Sequence, residues 1–175
     1  MGPFCERAVT RLKVNVLLAD KGKTNPQAGT LDLLNAGWSQ TSPTPSPMGQ
    51  VVPPQVVAIF FEVDRHLCNR DITLLVELVD EDGGAVALPG PAGPQPMRIE
   101  QHIRVPIPPL LPGGAPGSGN LLLELMPGPP LAPGVYTWRV TLNGEHRDDW
   151  TATFYVLPPP EAPTFGVARP AETTE

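Results

Sequence analysis

Asp80, Glu81 and Asp82 stand in the run DEDG (80–83), and clustered carboxylates are what a hard cation such as calcium needs. Calcium takes about six oxygens or more, however, and the spacing of a calcium-binding helix–loop–helix is absent. Asp-Gly between two apolar runs is first of all a solvated turn. Asp64 and Asp71 would add carboxylates only if their loops share one end of the molecule with this turn. A turn without metal is the expectation.

Nothing else in the chain spells out a reaction. His66, His102 and His146 are dispersed, with no HExxH or HxH pattern, and read as surface residues. Cys5 and Cys68 are too few for a structural zinc site. They can form one disulfide or remain thiols; the opening MGPFCERAVT carries no hydrophobic signal region, so thiols are expected. Cys68 has no base supported by a motif, and no GxSxG elbow is present. GGAPGSG (113–119) lacks the Gly-Lys-Ser/Thr of a phosphate loop and reads as a flexible connection. No catalytic residue, cofactor or metal is expected.

Two proline-rich stretches suit recognition rather than catalysis. SPTPSP (42–47) and PPPEAPTFGVARP (158–170) favour polyproline II, which has little entropy to lose on docking. The first reads as a spacer. In the second, Pro158, Pro159 and Pro160 would stiffen an arm that carries Phe165 and Val167, two apolar side chains with no core of their own. These five are the candidate interaction residues.

The elements that must carry these features are strands. Of the 25 prolines, 23 fall in five patches at 43–54, 89–96, 106–116, 127–133 and 158–170, so they punctuate the chain. Between the patches, side chains alternate. RLKVNVLLA (11–19) puts Leu12, Val14, Val16 and Leu18 on one face, and VVAIFFEV (56–63) does so with Val57, Ile59, Phe61 and Val63. ITLLVELV (72–79), AVAL (85–88), MRIEQHIRV (97–105) and LLLELM (121–126) follow, and TLDLLNAGW (30–38) is read as a strand over a short helix. About eight strands are expected.

PGVYTWRVTLNGEHRDDWTATFYV (133–156) reads as two of them joined at Asn143-Gly144, a type I′ turn signal. An unmodified two-residue turn would pair residues whose numbers sum to 287. Trp138 and Trp150 would then face opposite ways, because one residue of slip exchanges the faces of a strand. A bulge or an odd loop must intervene. Tyr136, following Pro133-Gly134, has the position of the tyrosine that ties an immunoglobulin-like strand back on its own chain, although an ordinary core aromatic is the favoured reading.

A net charge of −6 over 175 residues argues against nucleic acid and anionic membranes as partners. The longest apolar runs fall far short of a membrane span. KVNVLLAD, Gly37-Trp38, VVAIFFEV, LVELVDEDGGAV and PGVYTWRVTLNGE, in that order, resemble an uncharacterised domain family of actinobacteria and their phages. The resemblance covers roughly residues 11–157 and leaves out the insert KGKTNPQAGT (21–30) and the proline tail. It implies a β-sandwich and transfers no site residues.

The expectation is therefore an all-β chain. A single antiparallel β-sandwich, immunoglobulin-like in the broad sense, would occupy residues 1–157, and a Pro-rich C-terminal arm residues 158–175. Its expected role is a non-catalytic structural or binding subunit of a larger assembly, foremost a phage virion accessory protein on the head or tail. Its partners would then be other protein subunits, such as capsid or tail proteins, with no nucleic acid and no membrane. The alternative is a cytoplasmic adaptor that binds a peptide or protein through a sheet edge.

Overall fold

The computed structural model describes residues 12–47, 49–107 and 115–159. The chain runs through β1 (Lys13–Ala19), β2 (Lys21–Asn25), β3 (Thr30–Leu34), β4 (Gln40–Thr41), β5 (Thr44–Ser46) and β6 (Gly49–Val51). It continues through β7 (Gln55–Val63), a 3₁₀ turn at Arg65–Leu67, β8 (Asp71–Asp80), β9 (Ala87–Leu88) and β10 (Gln95–Pro96). β11 (Arg98–Arg104), β12 (Gly117–Leu125), β13 (Gly134–Leu142) and β14 (Thr151–Val156) follow. None of the seven long strands contains a proline. The ladder hydrogen bonds that proline cannot donate are kept where the sheets need them.

Two sheets result. One has the order β1-β7-β12, the other β11-β8-β13-β14-β4. Neighbours are antiparallel except β14 and β4, which run parallel. Consecutive strands β7 and β8 lie in opposite sheets, as do β12 and β13. That alternation is the Greek-key connectivity of immunoglobulin-like sandwiches. The chain is an antiparallel β-sandwich of this broad class. Three two-stranded ribbons, β2-β3, β5-β6 and β9-β10, are added to it.

The alternating residues meet between the sheets as their spacing requires. Val14, Val16 and Leu18 of β1 and Val57, Ile59 and Phe61 of β7 oppose Leu74, Val76 and Leu78 of β8 and Trp138, Val140 and Leu142 of β13. Trp138, Trp150 and Phe154 are the largest fully buried side chains. Each contributes roughly 1.5–3 kcal/mol through the apolar surface it removes from water. Tyr136 donates its phenolic hydrogen to Ala132 O, 3.0 Å away, so the tie back to the chain is present.

The turn between β13 and β14 answers the parity problem. Leu142 bridges Glu145 across Asn143-Gly144, and both turn residues have positive φ, 48° and 78°. The ladder then restarts with Arg139 opposite Thr151 and Trp138 opposite Ala152, pairs whose numbers sum to 290. The shift is absorbed in residues 146–149, which leave the ladder. Trp138 (0 % exposed) and Trp150 (1 %) consequently share the core face. A tight turn and a bulge coexist.

Two proline- or glycine-rich stretches are more ordered than expected. Within SPTPSP, Thr44–Ser46 pairs with β6. Pro45 is tolerated because a two-stranded ribbon is all edge. The end of GGAPGSG belongs to β12, with Gly119 opposite Phe61. A Cβ on Gly119 would come within 2.6 Å of the Phe61 ring. Glycine stands there for close approach and not for flexibility. The strand reading of TLDLLNAGW holds for Thr30–Leu34, and turns with positive φ at Asn35 and Gly37 follow.

Candidate functional site

The acidic turn is held by its own carboxylate. Asp80 Oδ1 accepts from the backbone N–H of Asp82 at 3.1 Å and of Gly84 at 2.8 Å. Asp71 and Asp80 begin and end β8, so they sit at opposite ends of the sandwich, about 30 Å apart for an extended strand of this length. Asp71 is instead paired with Arg104 at 2.7 Å. No group of three or more His, Cys, Asp or Glu side chains that could hold a metal occurs among the described residues.

His66 and His102 are exposed, with Asp64 3.8 Å from the first and the Thr73 hydroxyl 3.4 Å from the second. His146 Nδ1 lies 2.8 Å from Val140 O, where the ring fastens the bulged loop to β13. Cys68 is a buried free thiol, and Cys5 lies outside the described residues. Of the expected interaction residues, Pro158 and Pro159 are exposed beyond β14. Pro160, Phe165 and Val167 lie outside the described residues.

A cleft of mixed chemistry lies elsewhere, in part on the outer face of the β1-β7-β12 sheet. The β2-β3 ribbon lies against this face: a Cβ on Gly22 would meet Leu122 at 2.7 Å and Leu33 at 3.2 Å. Val56 and Ala58, whose parity points them outward, are buried. At its tip the ribbon is pinned by the Asn120 side-chain amide, which donates to Gly29 O at 2.8 Å. The ribbon covers only part of the sheet. The remainder forms part of an open cleft of about 710 Å³ that is lined also by Leu12, Val14, Phe61 and Trp150 of the core.

Register determines the cleft floor. Asn15, Phe60 and Asn120 form one row across the three strands, and Lys13, Glu62 and Ser118 form the next. Phe60 is half-buried and Asn15 exposed. Lys13 Nζ pairs with Glu62 Oε2 at 3.2 Å. Gly29, Thr30 and Leu31 at the ribbon tip form one wall. The bulged loop supplies Arg147, Asp149 and Trp150 to another. Arg147 is itself held over the Trp150 ring, 5.2 Å from its centroid, and bonded to Glu145 at 3.0 Å.

Sequence reading missed this site because it followed the inward-facing set of each strand. One signal was present: an aromatic, Phe60, in an outward position of β7. Its two flanking amides come from strands 45 and 60 residues away (60 − 15 and 120 − 60), and only register brings them alongside.

The fold and this cleft define the class: an antiparallel, immunoglobulin-like β-sandwich with a lateral cleft walled in part by the β2-β3 ribbon. No family model and no curated protein matches the chain.

Proposed function

We propose that the protein is a non-catalytic building block of a larger protein assembly, most specifically an accessory subunit on the head or tail of a phage particle. The observation that carries this reading is an exposed apolar strip at the end of β14. Tyr155 is 51 % exposed and Leu157 38 %, both on the outward face, with the half-buried Val135 beside Tyr155 in register. Pro158 and Pro159 continue directly from this strip. Apolar residues gathered in one surface patch mark a site of contact with another protein more often than scattered ones do. The resemblance of residues 11–157 to chains of actinobacteria and their phages supports the particle as the setting.

The adaptor alternative needs an open sheet edge, and β11 offers one. Three of its outward side chains are charged and already engaged: Arg98 pairs with Glu100 at 3.0 Å and Arg104 with Asp71 at 2.7 Å. Charged side chains along an edge strand discourage the pairing of a further strand. The assembly reading is favoured at this edge; β1 and β12 are the edges of the other sheet.

Mass spectrometry of washed, purified particles from the phage or host that encodes the chain tests the proposal. The chain is expected at a fixed ratio to the major particle protein, and Tyr155→Ser with Leu157→Ser is expected to reduce that ratio. A chain found only in the soluble fraction overturns the reading.

A further inference from the structure

We propose that the lateral cleft is a binding site for a neutral saccharide about two sugar rings long. Its volume of about 710 Å³ lies within the roughly 300–1,000 Å³ range of small-molecule sites. The inference is independent of the assembly reading. Trp150, on the cleft wall, directly precedes β14, whereas the apolar strip lies at the other end of that strand. Six residues of extended chain separate the two by about 20 Å.

Charge narrows the ligand class. The ionisable side chains lining the cleft are Lys13, Glu62, Arg147 and Asp149, two of each sign. Lys13 is committed to Glu62 and Arg147 to Glu145. Each cation is already partly neutralised by a carboxylate, and the balanced walls give no net field that would favour a charged ligand over a neutral one.

Hydrogen-bonding capacity narrows it further. Among the described residues, the Asn15 amide and the Ser118 hydroxyl make no side-chain hydrogen bond, and Asn120 has spent only one of its two N–H donors, on Gly29. An amide offers both donors and an acceptor, and a hydroxyl does the same on a smaller scale. Groups of that kind match sugar hydroxyls, which also donate and accept. Phe60 stands between the two amides and supplies an apolar surface for the C–H face of a sugar ring. Asn15 and Asn120 are two strand spacings apart, about 10 Å, which is the reach of two linked rings and exceeds that of one.

A bound peptide strand fits less well. A strand added to the edge of β1 would run parallel to β1 and meet Lys13 and Asn15 alone. The recognition row runs across the strands, at right angles to that path.

The test uses the soluble purified chain labelled with ¹⁵N, followed by amide spectra. Maltose, cellobiose, lactose and N,N′-diacetylchitobiose are titrated in turn, with AMP and trialanine as charged and peptide probes. At least one disaccharide is expected to shift the Asn15 and Asn120 side-chain amides saturably. Phe60→Ala is expected to weaken that binding by about tenfold. Because Phe60 is half-buried, the exposed Asn15→Ala is measured alongside and is expected to weaken binding severalfold with an unchanged melting curve. Tyr155→Ser is expected to leave binding intact. The proposal is overturned if no disaccharide shifts these amides. Saturable shifts there from AMP or trialanine alone, or sugar binding indifferent to Asn15→Ala, overturn it equally.

Discussion

The phenol of Tyr136 and the carbonyl of Ala132, four residues earlier in the chain, are joined by a 3.0 Å hydrogen bond that fixes how β13 enters its sheet. Tyr136 also packs on Phe154, with 5.8 Å between ring centroids. Tyr136→Phe keeps the ring and removes the bond, so it should destabilise the fold by about 0.5–1.5 kcal/mol in urea denaturation. Burial, followed by the nearby Asp80 carboxylate, pushes the phenol above its ordinary value of 10.0. The folded state then holds the proton more tightly than the unfolded state. The stabilisation is complete below about pH 10 and is lost as pH rises through the folded value. The phenylalanine variant should show a flatter alkaline limb; an unchanged limb would contradict this account.

Gly128 lies against the backbone of the segment after β6. A Cβ there would overlap Val52 O and come within 2.6 Å of Pro53 O. Neither oxygen can rotate away, and Val52 N–H is bonded to Pro129 O at 2.9 Å. Gly128→Ala should therefore cost about 3 kcal/mol or more, at the upper end of overpacking effects. Denaturant midpoints of the two proteins check it.

Calcium at millimolar concentration should leave the melting temperature where it is. A ligand that binds only the folded state must raise it, and Asp80 already spends one oxygen on the Asp82 and Gly84 amides. Asp80→Ala should cost about 1 kcal/mol through the lost turn bonds. A calcium-induced rise of several degrees that EDTA reverses would make this a metal site after all.

Removing residues 158–175 should change stability by less than about 1 kcal/mol. Among the described residues, the last backbone bond of the sandwich is Leu157 N–H to Thr41 O at 2.8 Å, and Pro158 and Pro159 beyond it are exposed. Phe165→Ala should likewise spare the melting curve while lowering incorporation into particles. A truncated chain that unfolds would place the arm in the core; one that incorporates normally would remove its docking role.

The sandwich was legible because its inward residues repeat every second position between proline patches, a local signal. The bulge after Asn143-Gly144 was legible too, since only an even register sum puts Trp138 and Trp150 on one face. The strand content of Gly117–Gly119 was not, because glycine is ambiguous between loop and close packing until its neighbour Phe61 is known. The cleft was hidden for a related reason. It is made by pairings across long stretches of chain and by the β2-β3 ribbon, whose short strands carry no strong alternation of their own.

The parallel contact between β14 and β4 has a mechanical meaning. Tyr155 N–H bonds to Ser39 O at 2.9 Å and Leu157 N–H to Thr41 O at 2.8 Å, while β13 grips the other side of the strand through six residue pairs. A tug on Pro158 along the axis of β14 loads these bonds in shear, all at once. A hairpin drawn apart at its open end surrenders one rung at a time, whereas a strand pulled lengthwise between two neighbours must release every rung together. A chain anchored through the residues after Leu157 would pass force into its body by the stronger of these two routes.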